Sequence, residues 1–596
     1  MAIRALFLSV LGLMLVGCPD EGAAPGHLGG PCNPDGTCNG TLMCEGDVCV
    51  IDKGPSIFQN PDDPSDTDGD DRVDAGNLDD VVFDAGAETP EPPPTDRICV
   101  GDEVHERNAM GDYEFYELCM DTCVNGVCTP PCGIENDKLS YLGCSFWATR
   151  LENLSPSASY TVTLSSNGNL PIEVLVTTST GEEVSTTTLE PGTLKTLTLN
   201  THTQLTGSGV FQKSYFINSS GKITVHQFSN NGGGGDATLL LPVSALGTDY
   251  MFLGWATQMF RDTLPYAQKM SIIATSDNPT TIVFESPVIV EVSGLEYPAN
   301  QPFEFQLNKG DNLEMRTLME TGEDLTGTVI NASEKIAVFS NNRCTMIPAE
   351  TYACDHIQQQ LFPTNTWASE YVAAKFKPRG TEDDLWRILA GTNGTEFETM
   401  PPLPELANVT LNRGEMVEIR APHDFVISSN HPFSLAQFMV GSEYPGNAGG
   451  CGTATSGAGG ARTNCAIQET CNGSKGIGDP SFLMVVPSSQ YREDYTISVP
   501  SNTVTGQVDH YLTFILPEGA VLDLNGENPE DETSTLASDE LVVTPLENTT
   551  WRTLTLPMEE GTHVASADQP FGLMVYGYGC AFSYAYPGGL NLETTP

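Results

Sequence analysis

The residues of this chain whose types best suit chemistry are Cys354-Asp355-His356, a thiol, a carboxylate and an imidazole side by side. An imidazole beside a thiol can raise a nucleophile, and the three groups together could ligate a metal. Their spacing argues against both. The surrounding sequence reads as strand, where consecutive side chains point to opposite faces and cannot converge. Cys344 stands nearby as a disulfide partner. No HExxH, GxSxG, Walker A loop or helix-opening GxGxxG occurs. Asp479-Pro480-Ser481 reads as a strand entrance, and the run Gly232–Gly235 as a loop with no helix behind it to bind phosphate. The chain is expected not to be an enzyme.

Oxygen ligands are the second candidate chemistry. Asp66, Asp68, Asp70 and Asp74, in Asp66-Thr67-Asp68-Gly69-Asp70-Asp71-Arg72-Val73-Asp74, resemble a calcium loop of the EF-hand or thrombospondin type 3 kind. The match is partial. Asp71 stands where such a loop turns on glycine, and Asn77 where an EF-hand needs a bidentate glutamate. Calcium is the one cofactor the sequence offers, and an acidic linker that yields alternate aspartates through composition alone is the competing and favoured reading.

The N-terminus carries a modification signal. Arg4 precedes an apolar stretch from Ala5 to Leu15, which suits a secretory signal and is too short to span a bilayer. Leu15-Val16-Gly17-Cys18 resembles the lipobox of bacterial lipoproteins, which implies cleavage before Cys18 and acylation of its thiol. Two or three acyl chains, at about 0.8 kcal/mol per buried methylene, hold a protein on a membrane durably. The expected location is the bacterial cell envelope, lipid-anchored at the outer membrane or cell surface.

Cysteine usage points to export independently. Of 17 cysteines, those other than Cys18 fall into even local groups, as oxidising compartments favour: Cys32 to Cys49; Cys99 to Cys144; Cys344 with Cys354; and Cys451, Cys465, Cys471 with Cys580. One bridge within Cys451, Cys465 and Cys471, leaving one thiol for Cys580, is the expected arrangement of the last group. A net charge of −52, from 26 basic and 78 acidic residues, repels phosphate and excludes a nucleic-acid partner.

Composition divides the chain into a signal peptide (1–17), a lipidated tether (18–31), a small Cys-rich module (32–49), an acidic Pro/Asp-rich linker (50–96), a second Cys-rich module (97–132) and a large remainder (133–596). The first module has almost no apolar residues and depends on its disulfides. The linker, self-repelling and disordered by composition, reaches about 35–40 Å as a flexible coil and further when charge extends it.

The remainder reads as all-β: short alternating runs rich in Val, Ile, Thr, Phe and Tyr, broken by Gly, Asn, Asp and Pro. Ile272–Thr275 with Thr281–Phe284, Phe303–Leu307 with Leu313–Arg316, and Val329–Ile330 with Ile336–Phe339 are predicted as successive hairpins. A Pro-x7-Tyr segment with an acid before the tyrosine recurs: Pro242 with Asp249-Tyr250, Pro363 with Glu370-Tyr371, Pro487 with Asp494-Tyr495. Strands opening on Ser220-Gly221-Lys222-Ile223, Ser333-Glu334-Lys335-Ile336, Asn430-His431-Pro432-Phe433 and Asp568-Gln569-Pro570-Phe571 imply about four tandem antiparallel repeats. Turns at Pro191-Gly192, Lys309-Gly310 and Arg413-Gly414 recur in three of them, with no clear equivalent in the fourth. Units of this size suit β-sandwiches, with a propeller of two four-stranded blades per unit as the alternative.

Several blocks, in order, resemble a known family: GSGVFQKSYFINSSGKITVHQFSNN with DATLLLPVSALGTDYMFLGW, DLTGTVINASEKIAVFSNN with CDHIQQQLFPTNTWASEYV, GDPSFLMVVPSSQYREDYTISVP, and FGLMVYGYGCAFSYAYPGGL. Over roughly residues 139 to 590 they look like the N-terminal domain of the IgG-Fc-binding protein family. The resemblance implies binding of an extracellular protein or glycan at a surface, and it carries no residue-level site. The expected function is a lipid-anchored, surface-displayed binding or adhesion protein, with membrane contact through the N-terminal lipid. The rivals are an extracytoplasmic hydrolase, which a deep pocket of convergent polar groups would favour, and a self-associating envelope component, which long exposed edge strands would favour.

Overall fold

The computed structural model describes residues 42–45, 48–51 and most of 97–594; 133–138, 445–476 and a few shorter stretches lie outside the described residues. The chain divides into two compact units, Met1–Glu88 and Thr89–Pro596. In the first, Leu42–Glu45 pairs antiparallel with Val48–Ile51, setting Cys44 opposite Cys49.

The second unit begins with a three-stranded antiparallel sheet, Arg97–Val100, Glu103–Arg107 and Tyr113–Leu118. Disulfides Cys99–Cys123 and Cys119–Cys128 close this module, and Cys132–Cys144 bonds it to the strand that opens the large domain. That last bridge spans the boundary at 132 drawn from composition.

Four curled sheets follow, each organised about one long strand and one closing strand. The pairs are β1 (Ser214–Asn230) with β2 (Gly235–Leu240), β3 (Val329–Thr345) with β4 (Asp355–Gln360), β5 (Phe425–Met439) with β6 (Ser481–Met484), and β7 (Gly561–Gly579) with β8 (Phe582–Pro587). The first half of each long strand pairs with the entering strand of its unit: Gly143–Thr149, Gly247–Met251, Ala368–Ala373 or Arg492–Val499. The second half pairs with the closing strand. A long strand thus changes layer midway, as corners of packed sheets do. In the first unit each half of β1 carries its own four-stranded ladder, with Gly143–Thr149, Ile172–Thr178 and Glu183–Leu189 on the first half and Gly235–Leu240, Ser159–Ser165 and Leu194–Thr198 on the second, and the two are joined through β1.

This arrangement corrects the predicted hairpins. Gln268–Ala274 pairs with the second half of β3 and Thr280–Glu285 with its first half, so Ser276-Asp277-Asn278-Pro279 crosses between layers. Pro302–Leu307 likewise joins Thr280–Glu285, while Asn312–Arg316 joins Gln268–Ala274. Val329–Ile330 and Ile336–Phe339 are two parts of one strand. The polar segments taken to open strands, such as Ser333-Glu334-Lys335 and Asp568-Gln569-Pro570, are the corners within them. At Pro432 and Pro570 the missing N–H costs nothing there, because the corner lies outside the ladders of both layers. The glycine turns missing from the fourth unit also have a counterpart. Asn548, with φ 60°, takes the left-handed position that Gly192, Gly310 and Gly414 occupy in the other three.

The Pro-x7-Tyr segments bind these corners. Each proline starts a single 3-10 turn, and the tyrosine then lies buried on the entering strand. Its hydroxyl donates to the carbonyl just past the corner: Tyr250 to Ile336 (2.8 Å), Tyr371 to Phe433 (2.5 Å), Tyr495 to Phe571 (2.5 Å). The proline packs on the unit before it. An added Cβ on Gly143 would meet Pro242 at 2.3 Å, and one on Gly247 would meet Pro363 at 2.6 Å, so glycine is required at both contacts.

The four closing strands meet in a ring: β2 packs on β4, β4 on β6, β6 on β8, and β8 on β2. The C-terminal tail seals it. Tyr141 N–H donates to Leu590 O (3.0 Å), and Leu592 N–H to Leu139 O (2.7 Å). One continuous hydrophobic core runs from Tyr141 to Leu592 through all four sheets.

Candidate binding groove

The centre of the ring is polar and serves structure. Asp236 on β2 is buried and accepts from every other closing strand: Gln358 N–H of β4 (3.1 Å), the Ser481 hydroxyl (2.8 Å) and Phe482 N–H (3.3 Å) of β6, and Ala585 N–H of β8 (3.4 Å). Gln359 Nε2 on β4 reaches carbonyls in return, at Ala237 (2.8 Å), Phe482 (2.6 Å) and Ala585 (3.0 Å). Burial pushes the Asp236 carboxyl well above the usual range despite these donors. Asp355 is raised as well, by burial first and then by the neighbouring Asp479 and Asp236.

Cys354-Asp355-His356 lies beside this hub. Cys354 is bonded to Cys344 with a Cα–Cα distance of 5.1 Å, so it holds no thiol. Asp355 accepts from the backbone N–H of His356 (2.7 Å). The His356 ring sits with Nδ1 3.1 Å from Asn342 O, and burial lowers its pKa to about 4. These groups face separate partners, as the strand alternation requires.

Buried cations occupy the junctions between units. Lys269 pairs with Glu152 and, at 3.5 Å, with Glu314, and donates to Gly207 O (2.8 Å). Burial raises Glu314 to about 7 against the pull of Lys269. Arg387 bridges Asp324 (2.8 Å) and Glu418 (3.2 Å) and lies 4.0 Å from the Trp255 ring centre. Buried acids outnumber buried bases, yet most acidic side chains among the described residues still lie at the outer surface.

On that surface a groove of about 670 Å³ opens in the third unit. Strand Thr395–Met400 projects Glu396 and Glu398 from one face. The first half of β5 contributes Ser428 and Ser429 up to the corner at Asn430, and Asn408 and Thr410 close the far side. Asn430 pins the wall, accepting from Glu396 N–H (2.9 Å) and donating to Gly394 O (3.0 Å). Two exposed carboxylates amid amides and hydroxyls suit cationic side chains or sugar hydroxyls. Sequence reasoning selected none of these residues except Asn430, as part of a strand opening. The available signal was Glu396-x-Glu398 on an alternating strand.

Among the described residues no cluster of three or more His, Cys, Asp or Glu side chains is arranged to hold a metal. The calcium candidates Asp66, Asp68, Asp70 and Asp74, the acylation candidate Cys18, and Cys451, Cys465, Cys471 and Cys580 lie outside the described residues.

Comparison with known proteins gives the relationship. Over 209 residues the chain is 25% identical to the human IgGFc-binding protein, covering 35% of this chain and only 4% of that much longer relative. The family model described as IgGFc binding protein matches residues 236–577, from the hub aspartate of β2 almost to the end of β7 and narrower than the span of the sequence resemblance. Since that match covers more than half of the chain, the protein belongs to the IgGFc-binding protein family.

Proposed function

We propose that this protein is a lipid-anchored surface protein of a bacterial envelope that displays its ring of β-sheets as a binding domain for extracellular proteins or glycans. The family match over the ring carries the reading. Cys18 in its lipobox supports the anchor, and the acidic linker supports display at a distance from the membrane. The four disulfides among the described residues fit an oxidising compartment.

The groove at Glu396 and Glu398 is the proposed contact, and basic or hydroxyl-rich ligands are the chemistry it fits. Affinity at one such polar site would be modest and would rise through display of many copies on one surface. Two measurements test the reading. Metabolic labelling with a fatty acid should mark wild type and fail on Cys18→Ala. Binding of full-length protein to a panel of secreted proteins and glycans should be saturable and should weaken at least tenfold in Glu396→Lys/Glu398→Lys.

A further inference from the structure

The disulfide-bonded sheet before the ring, which the family match does not include, exposes apolar side chains on the two outer strands of one face, flanking Glu103, His105 and Arg107 of the middle strand. Ile98, His105 and Phe115 stand opposite one another across its three strands, and Val100 and Tyr113 extend the same face. Exposure is high for such residues: Val100 51%, Tyr113 42% and Phe115 59%. Strand Tyr113–Leu118 pairs only with Glu103–Arg107, so among the described residues its outer edge meets no other strand. Along that edge the opposite face presents Glu114 and Glu117, both exposed. The edge therefore carries aromatic Tyr113 and Phe115 on one face and acidic Glu114 and Glu117 on the other, with Tyr116 in a bulge between Phe115 and Glu117, which fixes the face an added strand would present to each.

Charge decides what could cover it. The acidic linker of this chain and a second copy, at −52, would both meet Glu114 and Glu117 with like charge. We propose that strand Tyr113–Leu118 is a docking edge for an extended segment of a partner protein that alternates basic and apolar residues. The added segment would pair its backbone with the free edge, lay its apolar side chains on Tyr113 and Phe115, and set its cations against Glu114 and Glu117. This surface is distinct from the groove, so the two proposals can fail separately.

The test uses the full chain and three capped octapeptides: alternating Lys-Val, alternating Glu-Val, and Lys-Val with a central proline. The Lys-Val peptide should bind saturably, the proline peptide should bind at least tenfold more weakly, and the Glu-Val peptide should not bind. Phe115→Ser, which leaves every charge in place, should weaken Lys-Val binding at least tenfold. Glu114→Gln/Glu117→Gln should weaken it and flatten its salt dependence. Free-thiol titration confirms that Cys99–Cys123 and Cys119–Cys128 stay closed in the variants, with Tyr113→Ser replacing any that opens. No Lys-Val binding, equal binding by the proline peptide, or equal binding by both Phe115→Ser and Tyr113→Ser overturns the proposal. So does a concentration-dependent dimer of wild type that Phe115→Ser abolishes, which would assign the edge to a second copy.

Discussion

The Tyr250 hydroxyl donates to the carbonyl of Ile336 at 2.8 Å, joining the entering strand of the second unit to the corner of its long strand. It also accepts from Gly247 N–H at 3.0 Å, so one buried oxygen satisfies two backbone groups. Tyr495 repeats both bonds with Phe571 and Arg492. Tyr250→Phe should therefore leave a buried carbonyl and N–H unpaired, at a cost of about 1–3 kcal/mol. Urea unfolding of single and double variants at Tyr250 and Tyr495 measures this. The sites lie in different units, so their losses should add.

The hub predicts a difference between two substitutions at one position. Asp236→Ala removes the acceptor for three strands and should destabilise by about 2–4 kcal/mol. Asp236→Asn should cost less than half of that, because burial already disfavours the charge and an amide oxygen keeps part of the acceptor set. Equal losses in thermal unfolding would contradict the hub.

Ring closure is tested by the tail. Deleting residues 588–596 removes the pairings of Leu590 and Leu592 with Tyr141 and Leu139, and that of Asn591 N–H with Gln490 O. Hydrogen exchange should then accelerate at both 139–141 and 490–492, segments far apart in sequence. Exchange confined to the last residues of the chain would show that the ends do not seal one another.

Two buried groups give opposite pH slopes. Glu314 has its folded pKa raised to about 7, so its contribution to stability is complete below the unfolded value near 4.5 and is lost as pH rises to 7. His226 is lowered to about 3 by burial, so its contribution is present above 6.5 and is lost as pH falls. Glu314→Gln should flatten the dependence of Tm on pH between 4.5 and 7 on its alkaline side, and His226→Phe should flatten the fall below 6.5. Each effect is on the order of a few kcal/mol across its window.

Strand content was readable from sequence because alternation and β-branched composition are local: Phe303–Leu307 lies within an observed strand, and Ile272–Thr275 does so except for its last residue. Partners were not readable. A polar turn such as Ser276-Asp277-Asn278-Pro279 serves a hairpin and a crossing between layers equally well. The choice depends on which half of β3 each strand meets, a contact tens of residues away. The recurring tyrosines and corner segments were visible as patterns, but the bonds that join them are tertiary. Glu396, Asn408 and Ser428 form one groove only because a bent strand returns beside them. Asp236 and Gln359 read as ordinary strand residues, and only ring closure makes them a hub.

On the proposed reading the ring binds extracellular molecules through its acidic groove. Its most direct test is equilibrium binding of the full-length protein, wild type against Glu396→Lys/Glu398→Lys, to a panel of secreted proteins and glycans at low and physiological salt. Saturable binding to at least one basic or hydroxyl-rich ligand, weakened at least tenfold by the double substitution while Tm is unchanged, is the predicted result. Absence of saturable binding across the panel, or binding that the double substitution leaves intact, would contradict it.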